Sequence, residues 1–185
     1  MASIDWRKYL QFRCTGCGNC CKGTVVMLTE LDVQRIVDGT GRDPREFVRF
    51  FPEEQVELEK RSPWWVKFGR TRAVMALRWQ RGPRCFFLDQ ENRCTIYEHR
   101  PVTCREHPFR IQLSDRGAVE RVALSRAVPC PHAWDGHVTR RELRQVVRWN
   151  EEQSDGYIAK VQAWNRQTGG RRSRPAFLRF LGLAR

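Results

Sequence analysis

Lysine is nearly missing from this chain of 185 residues: only Lys8, Lys22, Lys60, Lys67 and Lys160 stand among 34 lysines and arginines. The formal charge of +13 and the pI near 10.1 are therefore carried by arginine. Genome composition produces that bias as readily as selection for phosphate contacts, so the charge points to anionic partners without choosing one. No run of about 18 apolar residues is present, which excludes a helical membrane span. A mean hydropathy of −0.63 describes a chain made for water. The stretch Met1 to Lys8 lacks the apolar region of a signal peptide. A cytoplasmic location is expected, where thiols stay reduced. The sequence also has no internal repeat at a solenoid period and no glycine-rich loop between strand and helix for a nucleotide or S-adenosylmethionine. The C-x3-C-x2-C spacing of radical chemistry is absent too, because Cys17-x3-Cys21 runs on into Gly23-Thr24. No motif for an ordinary methylase is left.

What the chain does have is cysteine. Half of its eight cysteines fall in one stretch, Cys14-Thr15-Gly16-Cys17-Gly18-Asn19-Cys20-Cys21. Thiols this close are poor disulfide partners, since a disulfide needs Cα atoms several Å apart and converging Cβ vectors. They are good metal partners: thiolates two residues apart in a turn can face one centre, and Gly16 and Gly18 give the backbone the freedom a tight loop needs. In a reducing compartment an even cysteine count reads as ligands, not bridges. Cys14, Cys17 and Cys20 follow C-x2-C-x2-C, the opening of a ferredoxin-type cluster loop, but Cys21 follows at once instead of four residues on with a proline. Neighbouring side chains point in different directions, so Cys20 and Cys21 are expected to serve different sides of the loop. Cys85, Cys94, Cys104 and Cys130 are scattered, each beside a turn signal among Pro83, Asn92, Pro101, Pro108, Pro129 and Pro131. Single cysteines are also at home in hydrophobic cores. Eight thiolates suffice for two four-coordinate sites, or for one cluster and one zinc.

The local patterns place these residues on a chain of one domain's length. A leading segment with Ile4, Trp6, Tyr9, Leu10 and Phe12 is expected to run extended into the cysteine loop. Gly23 to Leu28 reads as a strand. Thr29 to Asp32 reads as a capping box opening a helix that stops at Gly39 and Gly41, and Asp43-Pro44 as the start of a second helix carrying Phe47 to Phe51. Strands are expected at Pro63–Phe68 and Ala73–Trp79, with hairpins joining Cys85–Leu88 to Cys94–Tyr97 and Phe109–Leu113 to Val119–Leu124. Thr139 and Glu142 form another capping box, opening a long helix with Leu143, Val146, Val147, Tyr157, Ile158, Val161 and Trp164 at helical spacing; Gly169-Gly170 is expected to end it. The fold class is α+β: a small irregular single domain of short antiparallel strands and loops around a cysteine-ligated metal site, closed by a long C-terminal helix. Residues 1–168 form the cysteine-cluster domain, and 169–185 a basic, partly amphipathic tail expected to dock on it.

The motifs Cys14-x2-Cys17-Gly18-x-Cys20-Cys21, Cys85-Phe86-Phe87-Leu88, Cys94-Thr95-Ile96-Tyr97-Glu98-His99-Arg100-Pro101-x2-Cys104-Arg105-x-His107-Pro108-Phe109 and Cys130-Pro131 together resemble the YkgJ-type cysteine-cluster proteins, described as a zinc- or iron-chelating domain. The resemblance covers most of residues 10 to 165 and implies metal or iron–sulfur binding. Related domains occur in flagellin lysine methylases, for which an iron–sulfur cluster is implied. His132 stands where the family often has glycine, and His107 where it usually has an aromatic or apolar residue, so both are weighed as extra ligands or as hydrogen-bonded, partly buried imidazoles. His99 and His137 rank lower.

All-thiolate donors select zinc or iron–sulfur over magnesium and calcium. Three or four thiols from one loop favour a cluster, so an iron–sulfur cluster is preferred to zinc. All eight residues, Cys14, Cys17, Cys20, Cys21, Cys85, Cys94, Cys104 and Cys130, are candidate ligands of that cofactor. The expected function is metal or iron–sulfur binding with a redox or metal-sensing role and a protein partner. Two alternatives are a metal-dependent enzyme, with Glu106 or His107 as base beside a catalytic zinc, and a zinc-stabilised basic adaptor. The adaptor would meet nucleic acid through Arg78, Arg81, Arg84, Arg93, Arg100, Arg105 and Arg110, with Trp79 and Phe86 interleaved.

Overall fold

The structure, a computed structural model, describes residues 6–126, 129–167 and 172–184. The chain leads in through a 3-10 helix, Trp6–Gln11, and a two-residue strand β1 (Arg13–Cys14). The leading segment is thus coiled where an extended run was expected; its first five residues, with Ile4, lie outside the described residues. Side-chain caps then set the helices. Thr29 accepts from the Asp32 amide while Asp32 accepts from the Thr29 amide, opening α1 (Glu30–Thr40), which ends on Gly41 at φ +68°. Asp43 and Glu46 do the same for α2 (Pro44–Phe47).

That second helix is a single turn. From Val48 the apolar run becomes β2 (Val48–Pro52), which buries Val48 and Phe50 in the main core and Phe51 in a second cluster with Trp65, Val74 and Ala76, and pairs antiparallel with β4 (Thr71–Leu77). β-branched and aromatic residues facing a sheet partner overrode the helix expected there. The other strands of this sheet are β3 (Val66–Phe68) and β4 (Thr71–Leu77), in the order β2-β4-β3. Gly23–Leu28 forms no regular strand. It meets β4 beyond the end of β3, where the Leu28 amide donates to Met75 O (2.9 Å) and the Leu77 amide to Val26 O (2.9 Å).

Downstream come α3 (Val102–Glu106), a hairpin of β5 (Phe109–Leu113) and β6 (Val119–Leu124), a two-residue strand β7 (His132–Ala133) pairing with β1, and the helix α4 (Arg140–Arg166) capped by Thr139 and Glu142. Gly169 and Gly170 lie outside the described residues. The C-terminal segment forms α5 (Arg174–Phe180) and docks: Phe177 is fully buried, and Leu178, Leu181 and Leu183 join the main core. Among the described residues no helix is long and apolar enough to cross a membrane. The architecture is α+β, with three small antiparallel sheets among the described residues and the long helix expected near the C-terminus.

α4 holds the sheet at its edge. Asn165 accepts from the Lys67 amide (2.8 Å) and donates to Trp65 O (2.7 Å), while the Trp164 indole donates to Lys67 O (2.9 Å), so helix side chains satisfy the open side of β3. Beneath them Tyr157, Val161 and Trp164 fill the main core with Phe47, Phe50, Met75 and Phe177. Each such side chain contributes about 1.5–3 kcal/mol by burial.

The buried carboxylate of Asp32 ties this core to the rest. Its Oδ2 accepts from the Thr29 amide (3.1 Å) and hydroxyl (3.0 Å). Its Oδ1 accepts from Arg35 (2.8 Å) and from the Val102 amide (3.0 Å). Val102 is the first residue of α3, whose N-cap is Pro101 and offers no side-chain acceptor. Asp32 therefore caps two helices at once, its own and the one that carries Cys104. Asp32→Ala removes both caps and strips Arg35 of its ion pair; thermal or denaturant unfolding should show a loss of roughly 3 kcal/mol. A loss below about 0.5 kcal/mol, the level of a neutral surface change, would contradict this role.

Candidate metal centre

The cysteine loop is built on two glycines and a seat. Gly16 and Gly18 have φ +68° and +70°, which side chains rarely adopt. Gly18 is further constrained by close approach, since a Cβ there would lie 2.7 Å from Asn92 O. Asn92 closes the turn after Asp89, whose amide donates to Arg93 O (3.0 Å) and whose side chain accepts from the Arg93 amide (2.7 Å). The Cys85–Leu88 and Cys94–Tyr97 stretches, expected as a hairpin, make only isolated bridges, Trp79 with Cys85 and Leu88 with Cys94. The turn still returns Cys94 toward Cys85, and the Cys85 amide donates to Cys21 O (2.8 Å).

The far side of the loop is held by the chain around Cys130. Cys14 pairs with His132 across β1 and β7, Thr15 Oγ1 donates to Pro131 O (2.7 Å), and Asn19 Nδ2 donates to Pro129 O (3.0 Å). Arg13 clasps Asp135 through both carboxylate oxygens (2.8 and 2.9 Å). Gly136 passes so close to Phe12 O that a Cβ would lie 2.4 Å away.

As a result all eight cysteines line a single cavity of about 720 Å³. All eight are free thiols; Cys85 is buried, Cys14 is exposed and the others are half-buried. Cys20 Sγ and Cys21 Sγ are 3.9 Å apart. The thiols line the walls without meeting at a point: among the described residues no three His, Cys, Asp or Glu side chains form a ready-made cation site. Burial and crowding make five of these thiols hard to ionise. Cys20 is raised by its hydrogen bond to Cys21 and by burial. Cys21 is helped toward the thiolate by Cys20, yet its bond to Cys85 and its burial push it up to about 12. Cys104 and Cys94 are raised mainly by burial, as is Cys130, whose neighbours Cys17 and Cys14 add to the effect. Without a cation Cys20, Cys21, Cys94, Cys104 and Cys130 hold their protons, and a bound cation has to displace them. One positive charge opposes the crowding: Arg100 lines the cavity and favours the thiolates of Cys20, Cys94 and Cys104. It lies over the Tyr97 ring at 3.5 Å and donates to Tyr97 O.

The histidines divide otherwise than expected. His107 lines the cavity, and burial lowers its pKa, keeping the imidazole neutral. His137 lines it too, whereas His132 and His99 are not among the lining residues. His132 bonds Cys130 O (2.6 Å) and packs edge-on against Trp134; the His99 ring fills the space at Gly39, where a Cβ would lie 2.3 Å away. Glu106 accepts from Asn150 on α4 (2.6 Å) and does not line the cavity. Sequence reading missed Asn92 and Trp149 as wall residues. Asn92 was legible only as a turn former, and Trp149 only as part of a long helix.

The donor chemistry fits a soft metal or a cluster, since sulfur dominates the walls. Two buried atoms of wall residues, His107 Nε2 and Asn92 Oδ1, have no hydrogen-bond partner among the described residues. At ~30 Å³ per water the cavity has room for on the order of two dozen waters, far more than one bare ion occupies. No curated protein and no solved structure matches the chain. A family profile described as "CxxCxxCC: Putative zinc- or iron-chelating domain" matches residues 13–131, from the start of the cysteine loop to the proline after Cys130. This chain belongs to that cysteine-cluster family of metal-chelating domains.

Proposed function

We propose that the chain holds an iron–sulfur cluster on cysteines of this cavity and serves in electron transfer or in sensing redox or metal state. The observation that carries the reading is that eight thiols from distant stretches line one cavity far larger than one ion needs. C-x2-C-x2-C from one loop with further thiols from elsewhere is a usual way to wrap a cluster. A bound cluster supplies one-electron exchange. The residues around it would set how readily that happens. The Gly16 amide lies 3.4 Å from Cys14 Sγ and points a hydrogen at it, Arg100 offsets thiolate charge, and apolar walls from Phe87, Ile96 and Trp149 limit water. The arginine-rich surface suits an acidic protein partner.

Anaerobic purification with an absorption spectrum and iron, sulfide and zinc analysis tests the reading. A coloured protein with iron and acid-labile sulfide is expected; a colourless protein with stoichiometric zinc would end the iron–sulfur preference. Because ligation and folding are linked, Cys17→Ser should lower metal content and melting temperature together, and unchanged metal content in the folded variant would count against the site.

A further inference from the structure

The eight thiols are not equivalent in the fold. Cys85 belongs to the main hydrophobic core, and Cys21, Cys94 and Cys104 pack against it. Cys14, Cys17, Cys20 and Cys130 are outside that cluster. They sit on a separate layer made by the loop and the 129–136 stretch, joined by β1 and β7, by Thr15 and Asn19 to proline carbonyls, and by the Arg13–Asp135 pair. We infer that the cavity holds two separate four-thiolate centres, an inner one on Cys21, Cys85, Cys94 and Cys104 and an outer one on Cys14, Cys17, Cys20 and Cys130.

The inference rests on the reading that these cysteines ligate metal and adds how they are shared. Contacts follow the same division. The Cys85 amide donates to Cys21 O (2.8 Å) within the inner set, and the chain around Cys130 is bonded to the loop that carries Cys14 and Cys17 through Thr15 and Asn19. Cys20 and Cys21 mark the seam. They are 3.9 Å apart on one turn, and Cys20 also neighbours Cys94 and Cys104. Ligand count assigns Cys20 outward, since the inner set already has the four donors a tetrahedral site takes. The inner set draws its thiols from four places on the core and closes with the fold. The outer set takes three from one loop and one from a distant stretch, with Cys14 exposed to solvent, so its metal is the one open to exchange.

The test uses the reduced full-length chain titrated anaerobically with Co²⁺, whose ligand-field bands report tetrahedral thiolate ligation. About two equivalents per chain are expected, one for each set of four donors. Cys130→Ser and Cys14→Ser should each abolish the faster-exchanging equivalent, read by competition with a chelator, and leave the slower one with the fold intact by circular dichroism. Cys104→Ser should remove the slower one. Should Cys104→Ser fail to fold, the two outer variants still decide, because their sulfurs lie outside the core. A single equivalent in the wild type, or loss of all cobalt from a folded Cys130→Ser protein, would overturn the two-centre arrangement while leaving metal binding in place. A wild-type chain that takes up no cobalt, and carries neither iron nor zinc as purified, would overturn metal binding itself.

Discussion

Thiols separated by more than a hundred residues of sequence face one cavity, and most of the irregular part of this molecule exists to hold them there. None of the stretches that carry them is a long regular element. The loop from Cys14 to Cys21 runs irregularly from β1 into a three-residue 3-10 helix, Asn19–Cys21, Cys85 and Cys94 sit on isolated bridges, Cys104 is on a helix of five residues, and Cys130 precedes a strand of two. Each is positioned by specific contacts with its neighbours. Gly18 seats the loop on the Asn92 turn, Asp32 clamps the start of the Cys104 helix, and the β1–β7 pair brings Cys130 across.

The sheet and α4 form the rigid half against which this layer is built. Side chains of Asn165 and Trp164 complete the edge of β3, and α5 closes the core with Phe177. The link between halves is electrostatic as well as apolar. Arg35 pairs with Asp32, donates to Gln153 on α4 and lies over the Trp149 ring at 4.3 Å, while Arg105 approaches the same ring at 5.5 Å. Thiols that repel one another as anions gain from a cation at their centre, so the layer they line is stabilised by whatever metal it takes up.

Much of this was legible in the sequence because it is local. Capping boxes at Thr29 and Thr139, the hairpin after Phe109 and the period of α4 depend on residues within a turn or two of one another. The family-like spacing of the cysteines was equally readable. What the sequence hid is non-local. Val48–Pro52 looked helical until β4 offered it a partner, and Gly23–Leu28 looked like a strand although only a few of its bonds reach β4. Asp32 was readable as a cap for α1, but its second role on α3, seventy residues away, has no sequence signal. His132 and His107 were indistinguishable by spacing; packing against Trp134 turned one aside and left the other on the cavity wall.

The central claim is that sulfur, and little else, holds the metal. X-ray absorption spectroscopy of the anaerobically purified chain, at the edge of whichever metal it contains, measures this directly. A first shell of sulfur scatterers at about 2.3 Å is the predicted result; a first shell dominated by nitrogen or oxygen would contradict it.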